Sequence, residues 1–197
     1  RDSIRGVALG DPARAFAQYR EGLSRGEGDL APFAEGMRRT GALGVPGALR
    51  SMSEQFERLE LWRPLVGALE DAADVAADDG ERAALLYRAG EILEKHLDDL
   101  EGAMRHYVRA FQTRPREGRY LAAGERVYRR RGEWRMVDKL LALQVRVAPE
   151  AGLRRRLLEE QARVRHRHLD DPLAAYEALR AAMAQGGADV TRRVLRD

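Results

Sequence analysis

The chain has 197 residues, 44% of them hydrophobic, and carries 35 basic and 32 acidic side chains for a net charge of +3. That length and apolar content suffice for a sizeable core, and charges in near balance belong on solvated faces rather than in a charged tail. There is no cysteine, which excludes a disulfide framework, a thiolate zinc site and a thiol nucleophile.

No run approaches the roughly 18 apolar residues of a membrane span, and no basic-then-apolar leader opens the sequence. The lack of cysteine fits a reducing compartment, so a cytoplasmic location is the expectation. The sequence opens on Arg1, and a segment of a longer protein is expected. Only Lys95 and Lys139 are lysine, a bias read as genome composition before function.

Aromatic residues make up 6% of the chain, Val and Ile are sparse, and no long alternation of apolar and polar residues occurs. These features argue against a sheet, and an all-α fold is expected. Acid-then-base pairs four residues apart support it: Glu21 and Arg25, Glu35 and Arg39, Glu54 and Arg58, Glu91 and Lys95, Glu101 and Arg105, Glu125 and Arg129, Glu159 and Arg163. Each adds a few tenths of a kcal/mol to a helix.

In chain order, "DPARAFAQYREGL" reads as a helical half-unit carrying Ala15, Tyr19 and Gly22. The Gly-rich stretch after it predicts a short helix near 30–39 and a turn through 41–47. We read this region as a unit with a degenerate first helix, in preference to a hinge between two arrays. Residues 1–44 are thus a degenerate N-terminal part of a single array.

From residue 45 the chain repeats itself. A shift of 72 aligns Leu49 with Leu121, Phe56 with Tyr128, Trp62-Arg63 with Trp134-Arg135, and the "HLDD" of 96–99 with that of 168–171. Within that period lies a shorter one. Gly90, Ala103, Tyr107, Ala110 and Pro115 map onto Gly124, Val137, Leu141, Gln144 and Pro149 by a shift of 34, and a further 38 reaches Ala162, Ala175, Leu179, Ala182 and Gly187. Going back 72 from the second copy gives Met52, Leu65, Leu69, Ala72 and Ala77.

One unit reads as two helices and a tight turn. In "RAALLYRAGEILEKHL" the apolar residues Leu85, Leu86, Ala89, Ile92, Leu93 and Leu97 follow the three-and-four spacing of an amphipathic helix. Asp98 and Asp99 end it, and the second helix starts behind a favoured N-cap. Pro172 follows Asp171 where proline suits the first turn. A single hairpin cannot bury both faces, whereas a stack buries a continuous core. About four regular units are expected over 45–187, with 188–197 beginning a further helix.

Glycine in the first helix, alanine, aromatic and alanine in the second, and proline before the next unit resemble the tetratricopeptide repeat. Gly90, Ala103, Tyr107, Ala110 and Pro115 match it best. Helix A is one residue longer than the family's unit, and Leu86 stands at its early tryptophan position. The resemblance implies an α-solenoid of antiparallel helix hairpins wound as a right-handed superhelix, with first helices lining an inner groove. It implies a non-catalytic protein-interaction scaffold needing no cofactor.

The groove positions then fall at Tyr87, Glu91, Leu121, Glu125, Tyr128, Arg129, Arg156, Arg163, His166 and Arg167. Residues 1–114 hold 16 basic and 20 acidic side chains, net −4, whereas 115–197 hold 19 and 12, net +7. Local density peaks at 129–131, 154–156 and 163–168. A basic groove suits an acidic peptide or a phosphate backbone. The plain alternative is solvated arginines paired with Glu125, Glu159 and Glu160. Few aromatics accompany the arginines, so base stacking has little to work with. Tyr87, Leu121 and Glu159 stand where a carboxylate clamp wants lysine or asparagine, so capture of a free C-terminus is not expected. Self-association, acidic first half against basic second half, is a further reading.

His166, His168, Asp170 and Asp171 invite a metal reading. Residues two apart on a helix diverge, however, and the copy at His96 lacks the extra histidine. Helix end plus N-cap is the simpler account. No G-x-S-x-G, glycine-rich phosphate loop or Ser/His/Asp arrangement is present. Trp62 and Trp134 open the second helices and are expected to lay their rings against the first.

Overall fold

A computed structural model describes residues 11–26 and 28–185. The first ten residues and the helix start expected at 188–197 lie outside them. The described residues form ten α-helices and no strand, in agreement with the all-α reading. They are α1 (Pro12–Arg25), α2 (Ala31–Gly41), α3 (Ala48–Arg58), α4 (Trp62–Val75), α5 (Asp79–Lys95), α6 (Leu100–Thr113), α7 (Gly118–Arg130), α8 (Trp134–Val147), α9 (Ala151–His168) and α10 (Pro172–Ala184). They fall into two compact units divided between His106 and Tyr107. α6 carries the chain from one to the other.

In the first unit α1 begins behind Asp11, whose side chain accepts from the Ala13 and Arg14 amides, with Pro12 in the first turn. α1 packs on α2. The two exchange glycines for rings: a Cβ at Gly22 would collide with Phe33 of α2, and one at Gly36 with Tyr19 of α1. The segment is therefore a hairpin in its own right, with α1 as its first helix rather than the second half of an earlier unit. Composition hid this, because two glycines that weaken each helix alone let the pair close up.

α3 packs on α4 and α4 on α5, over a core that includes Phe56, Leu65, Leu69 and Leu86. Arg38 ties α2 to α4 through Asp71 while also bonding Glu35. In α6, His106 is buried. Its Nδ1–H donates to the Gly102 carbonyl, and its Nε2 lies 2.8 Å from Glu70 Oε1 on α4.

In the second unit α7 packs on α8, α8 on α9 and α9 on α10. Val137, Leu141 and Val164 form one buried cluster, flanked by Tyr128, Trp134, Leu157 and Leu169. Leu158, Ala162, Ala175, Ala178, Leu179 and Ala182 form another, with Val145 against it. The alanines here, buried between α9 and α10, let helix backbones approach.

The long repeat survives as backbone geometry. A shift of 72 carries the bounds of α4 onto those of α8. Before each lies one left-handed residue, Glu60 at φ 55° and Gly132 at φ 70°. The next amide reaches back equivalently, Leu61 to the Phe56 carbonyl at 2.8 Å and Glu133 to that of Tyr128 at 3.0 Å. The two "HLDD" turns also coincide. Asp98 and Asp170 are left-handed at φ 50° and 51°, and the Asp99 and Asp171 amides donate to the Leu93 and Arg165 carbonyls at 2.9 and 3.0 Å. Those closures satisfy carbonyls that a helix end leaves open. Asp99 then accepts from the Gly102 amide and Asp171 from that of Ala174, at 2.8 and 3.0 Å, so each caps the next helix.

Candidate functional site

The candidate residues sit on first helices: Tyr87 and Glu91 on α5 in the first unit, and the other eight on α7 and α9 in the second. A helix brings residues three, four, seven and eleven apart onto one stripe. On α9 that stripe is Arg156, Glu160, Arg163 and Arg167, with His166 on its flank; on α7 it is Arg126 and Arg129.

In the second unit the stripes are wired together. Arg129 Nε donates to Glu125 Oε1 at 2.6 Å, and its Nη2 to Glu160 Oε1 of α9 at 2.7 Å. Arg163 takes the other oxygen of Glu160. Gln144 of α8 donates to the second oxygen of Glu125 at 2.8 Å. The network is largely covered: the side chains of Arg129, Glu125 and Glu160 are 30%, 14% and 32% exposed. Burial disfavours the Arg129 charge, but the hydrogen bonds and field of Glu125 and Glu160 more than compensate, so its pKa lies above the ordinary arginine value.

Several arginines of the dense runs serve the fold. Arg165 clasps Asp138 of α8 with Nε–Oδ1 2.6 Å and Nη2–Oδ2 3.3 Å, and donates to the Ala174 carbonyl of α10 at 3.1 Å. Arg154 donates to the Ala148 carbonyl at 2.8 Å, as Arg82 does to that of Ala76 at 2.6 Å in the first unit. Arg155 lies 3.6 Å from Glu159. The surface is accordingly less basic than a count of arginines implies. Arg156, His166 and Arg167 remain as exposed side chains.

Two candidates are not open surface. Leu121 is 4% exposed and belongs to the core, which corrects its placement in a groove: the position that the long repeat pairs with Leu49 turns inward. Tyr128 lies partly buried against the Val137 cluster, filling the place that Phe56 fills in the first unit.

In the first unit Glu91 holds Lys95 at 2.6 Å, and Tyr87 is half-buried. An ion pair that helix spacing alone does not reveal joins Arg88 of α5 to Glu57 of α3. Adding 72 to its two positions gives Arg129 and Glu160. The same helix-to-helix bridge thus occurs twice with its signs exchanged. Of the seven pairs anticipated at four-residue spacing, those at Glu21, Glu91, Glu101 and Glu125 form. Glu35 instead bonds Arg38, Glu54 bonds Arg50, and Arg163 turns to Glu160.

The "HLDD" histidines are ring partners. His96 stacks on Trp62 at 3.7 Å between centroids and 18° between planes, and His168 on Trp134 at 3.5 Å and 8°. Each indole lies against the end of a first helix, as expected for these tryptophans. Among the described residues no group of three or more His, Asp or Glu side chains is placed to hold a metal. His168 is engaged with an indole face, not converging with His166. Among the described residues, too, no helix is long and apolar enough to cross a membrane.

No family model matches the chain, and no curated protein matches it in sequence. Solved structures do. A fragment of MamA from Desulfovibrio magneticus RS-1, residue 41 to its end, aligns over 90% of this chain and 97% of its own, with TM-score 0.50 and 16% identity. A MamA RS-1 double mutant aligns over 90% and 96%, with TM-score 0.51 and 18% identity. At such identity the likeness concerns the fold, which is that of a tetratricopeptide-like helical array.

Proposed function

We propose that the chain is a non-catalytic scaffold segment that holds a partner protein or peptide along the outward stripes of its first helices. One observation carries this reading. Arg156 and Arg167 stand exposed on a single stripe of α9, beside a frame in which Glu160 is held by both Arg129 and Arg163. The frame needs neither of them. Charged groups on a rigid helix, positioned without serving the fold, present an already ordered surface, which lowers the entropy cost of binding.

An acidic peptide suits that surface better than a nucleic acid. Carboxylates at Glu125, Glu159 and Glu160 lie among the arginines and would repel a phosphate backbone. The exposed cations have few exposed rings beside them for base stacking.

The test uses Arg156→Glu combined with Arg167→Glu in the full chain. Fluorescence anisotropy is measured against a glutamate-rich peptide and a single-stranded oligonucleotide of equal length, beside a pull-down of partner protein. The expected result is peptide binding that falls at least about tenfold in the variant, a change of about 1.4 kcal/mol, with the melting curve unmoved. Peptide and partner capture unaffected by the two substitutions would overturn the reading, and oligonucleotide binding with a steep salt slope would replace it.

A further inference from the structure

The sign exchange between the Glu57–Arg88 and Arg129–Glu160 bridges extends to neighbouring positions. Glu54, Glu57, Arg88 and Glu91 lie on α3 and α5 of the first unit. The equivalent positions of the long repeat are Arg126, Arg129, Glu160 and Arg163 on α7 and α9 of the second. Every one of the four reverses its charge. The first unit shows acid, acid, base, acid, and the second shows base, base, acid, base. At the ends of the α5 and α9 stripes Lys95 and Arg167 share a sign, so on the first helices the reversal is confined to these four positions; on the second helices Asp74 and Arg146, and Arg105 and Glu177, also differ in sign.

All eight side chains reach the surface. Glu54 is 65% exposed, Arg88 and Glu57 are 42% and 47%, and Glu91 is 29%. Arg129 is 30%, Arg163 and Glu160 are 38% and 32%, and Arg126 is exposed. The shared register gives the flanking helices closely equivalent bounds in both units. The two faces are therefore comparable position by position. Preserving each intrachain bridge requires only that positions 57 and 88 exchange signs together. It does not require Glu54 and Glu91 to be replaced by arginine at 126 and 163, which converts a face with three acids and one base into its opposite.

We propose that the partner of this scaffold is a second copy of the chain, the first-unit face of one copy meeting the second-unit face of another through these sign-reversed positions. The inference rests on the scaffold reading and names its occupant. Exposed ion pairs contribute little individually. Their complementarity acts on register and partner choice, since a like-for-like approach of two first-unit faces is repulsive. Association is accordingly weak, concentration-dependent and suppressed by salt, because the screening length shrinks from about 30 Å at 0.01 M to about 8 Å at 0.15 M.

The test compares the full chain with two variants by sedimentation velocity at roughly 0.01 M salt. One variant carries Glu54→Arg, Glu57→Arg, Arg88→Glu and Glu91→Arg. The other carries Arg126→Glu, Arg129→Glu, Glu160→Arg and Arg163→Glu. Either set gives both units of a chain the same pattern, so each variant alone should associate at least about tenfold more weakly than the parent. An equimolar mixture should regain association, because one variant now presents only second-unit patterns and the other only first-unit patterns. Helical circular dichroism of each variant checks folding. A parent chain that stays monomeric up to concentrations on the order of 100 µM, far above the dissociation constant of a micromolar complex, would overturn the inference. So would variants that associate as the parent does, or a mixture of folded variants that fails to recover. A monomeric parent that still captures the acidic peptide through Arg156 and Arg167 would remove the second copy and leave the scaffold standing. Association that persists while peptide and partner capture fail would do the reverse.

Discussion

Arg129 of α7 bonds Glu160 of α9 at 2.7 Å, in the place where, one long repeat earlier, Glu57 of α3 meets Arg88 of α5 with opposite charges. The bridge joins successive first helices in each unit, yet its surroundings differ. Arg129 and Glu160 are 30% and 32% exposed and share further partners, whereas Arg88 and Glu57 are 42% and 47% exposed. Screening by water should therefore decide their relative strength.

Double-mutant cycles to alanine should show it. We expect a coupling of about 1 kcal/mol between Arg129 and Glu160, in the range of charge-assisted hydrogen bonds in a covered network, and about 0.3 kcal/mol between Glu57 and Arg88. Urea denaturation of the four single and two double variants measures both. Equal couplings would mean that burial is not what sets them.

Acid sensitivity follows from the α2 segment. The Arg38 guanidinium holds Glu35 below its ordinary value of 4.5 by hydrogen bonding, opposed by partial burial and helped by the charges of Arg38 and Arg39. A carboxylate with a folded pKa below its unfolded one contributes stability that is fully present above the unfolded value and is lost as pH falls through the folded value. Glu35 is 52% exposed, so its contribution is a few tenths of a kcal/mol. Glu35→Gln should lower stability by that amount at pH 7, and the difference should begin to narrow as pH falls below the unfolded carboxylate value of about 4.3. Melting curves at pH 7 and pH 3.5 provide the comparison. A gap that widens on acidification would have the wrong sign.

The helical class, the repeat and its register were legible because rare residues recur at fixed spacing: Trp62 and Trp134, His96 and His168. The same spacing placed Asp99 and Asp171 as caps. The hairpin of α1 and α2 was not legible, since nothing local shows that Phe33 lies over Gly22 and Tyr19 over Gly36. On the candidate surface the positions were named from the resemblance, which implies that first helices line a groove, with helical periodicity choosing the residues on each helix. That Leu121 points inward, and that Arg165 and Arg154 bind carbonyls and Asp138, depends on neighbouring helices that no local pattern encodes. The Glu57–Arg88 bridge left a trace that pairwise comparison across the long repeat would have found, but only if charge reversal is sought rather than identity.

The turn before α4 carries a strain that its counterpart avoids. Glu60 sits at φ 55° where the repeat holds Gly132 at φ 70°, and a side chain in this region costs about 1–2 kcal/mol. Glycine removes that cost but adds unfolded-state freedom of about 0.5–1 kcal/mol. Glu60→Gly should therefore be stabilising by about 0.5 kcal/mol, and Gly132→Ala destabilising by a similar or larger amount. Nothing lies within 4 Å of a Cβ built at Gly132, so any loss there is backbone strain and not collision. Thermal melts of the two variants should shift in opposite directions, and shifts of the same sign would remove backbone strain as the cause.

The paired stacks make the sharpest test of what "HLDD" is for. His168 lies at 3.5 Å and 8° over Trp134, and His96 at 3.7 Å and 18° over Trp62. A near-parallel pair of this kind contributes about 0.5–1.5 kcal/mol beyond the area it covers. His96→Ala and His168→Ala should each cost about 1 kcal/mol, whereas His168→Phe, which keeps a ring but no nitrogen ligand, should restore most of the loss. A metal role predicts the reverse: phenylalanine would be as damaging as alanine, and added zinc would raise the melting temperature of the parent chain through linkage. Because the His168 ring face is already covered by the indole and the same stack forms at His96 without a neighbouring histidine, zinc should leave that temperature unchanged. Calorimetry of the parent and three variants, with and without zinc, separates a structural clasp at the helix end from a ligand cluster.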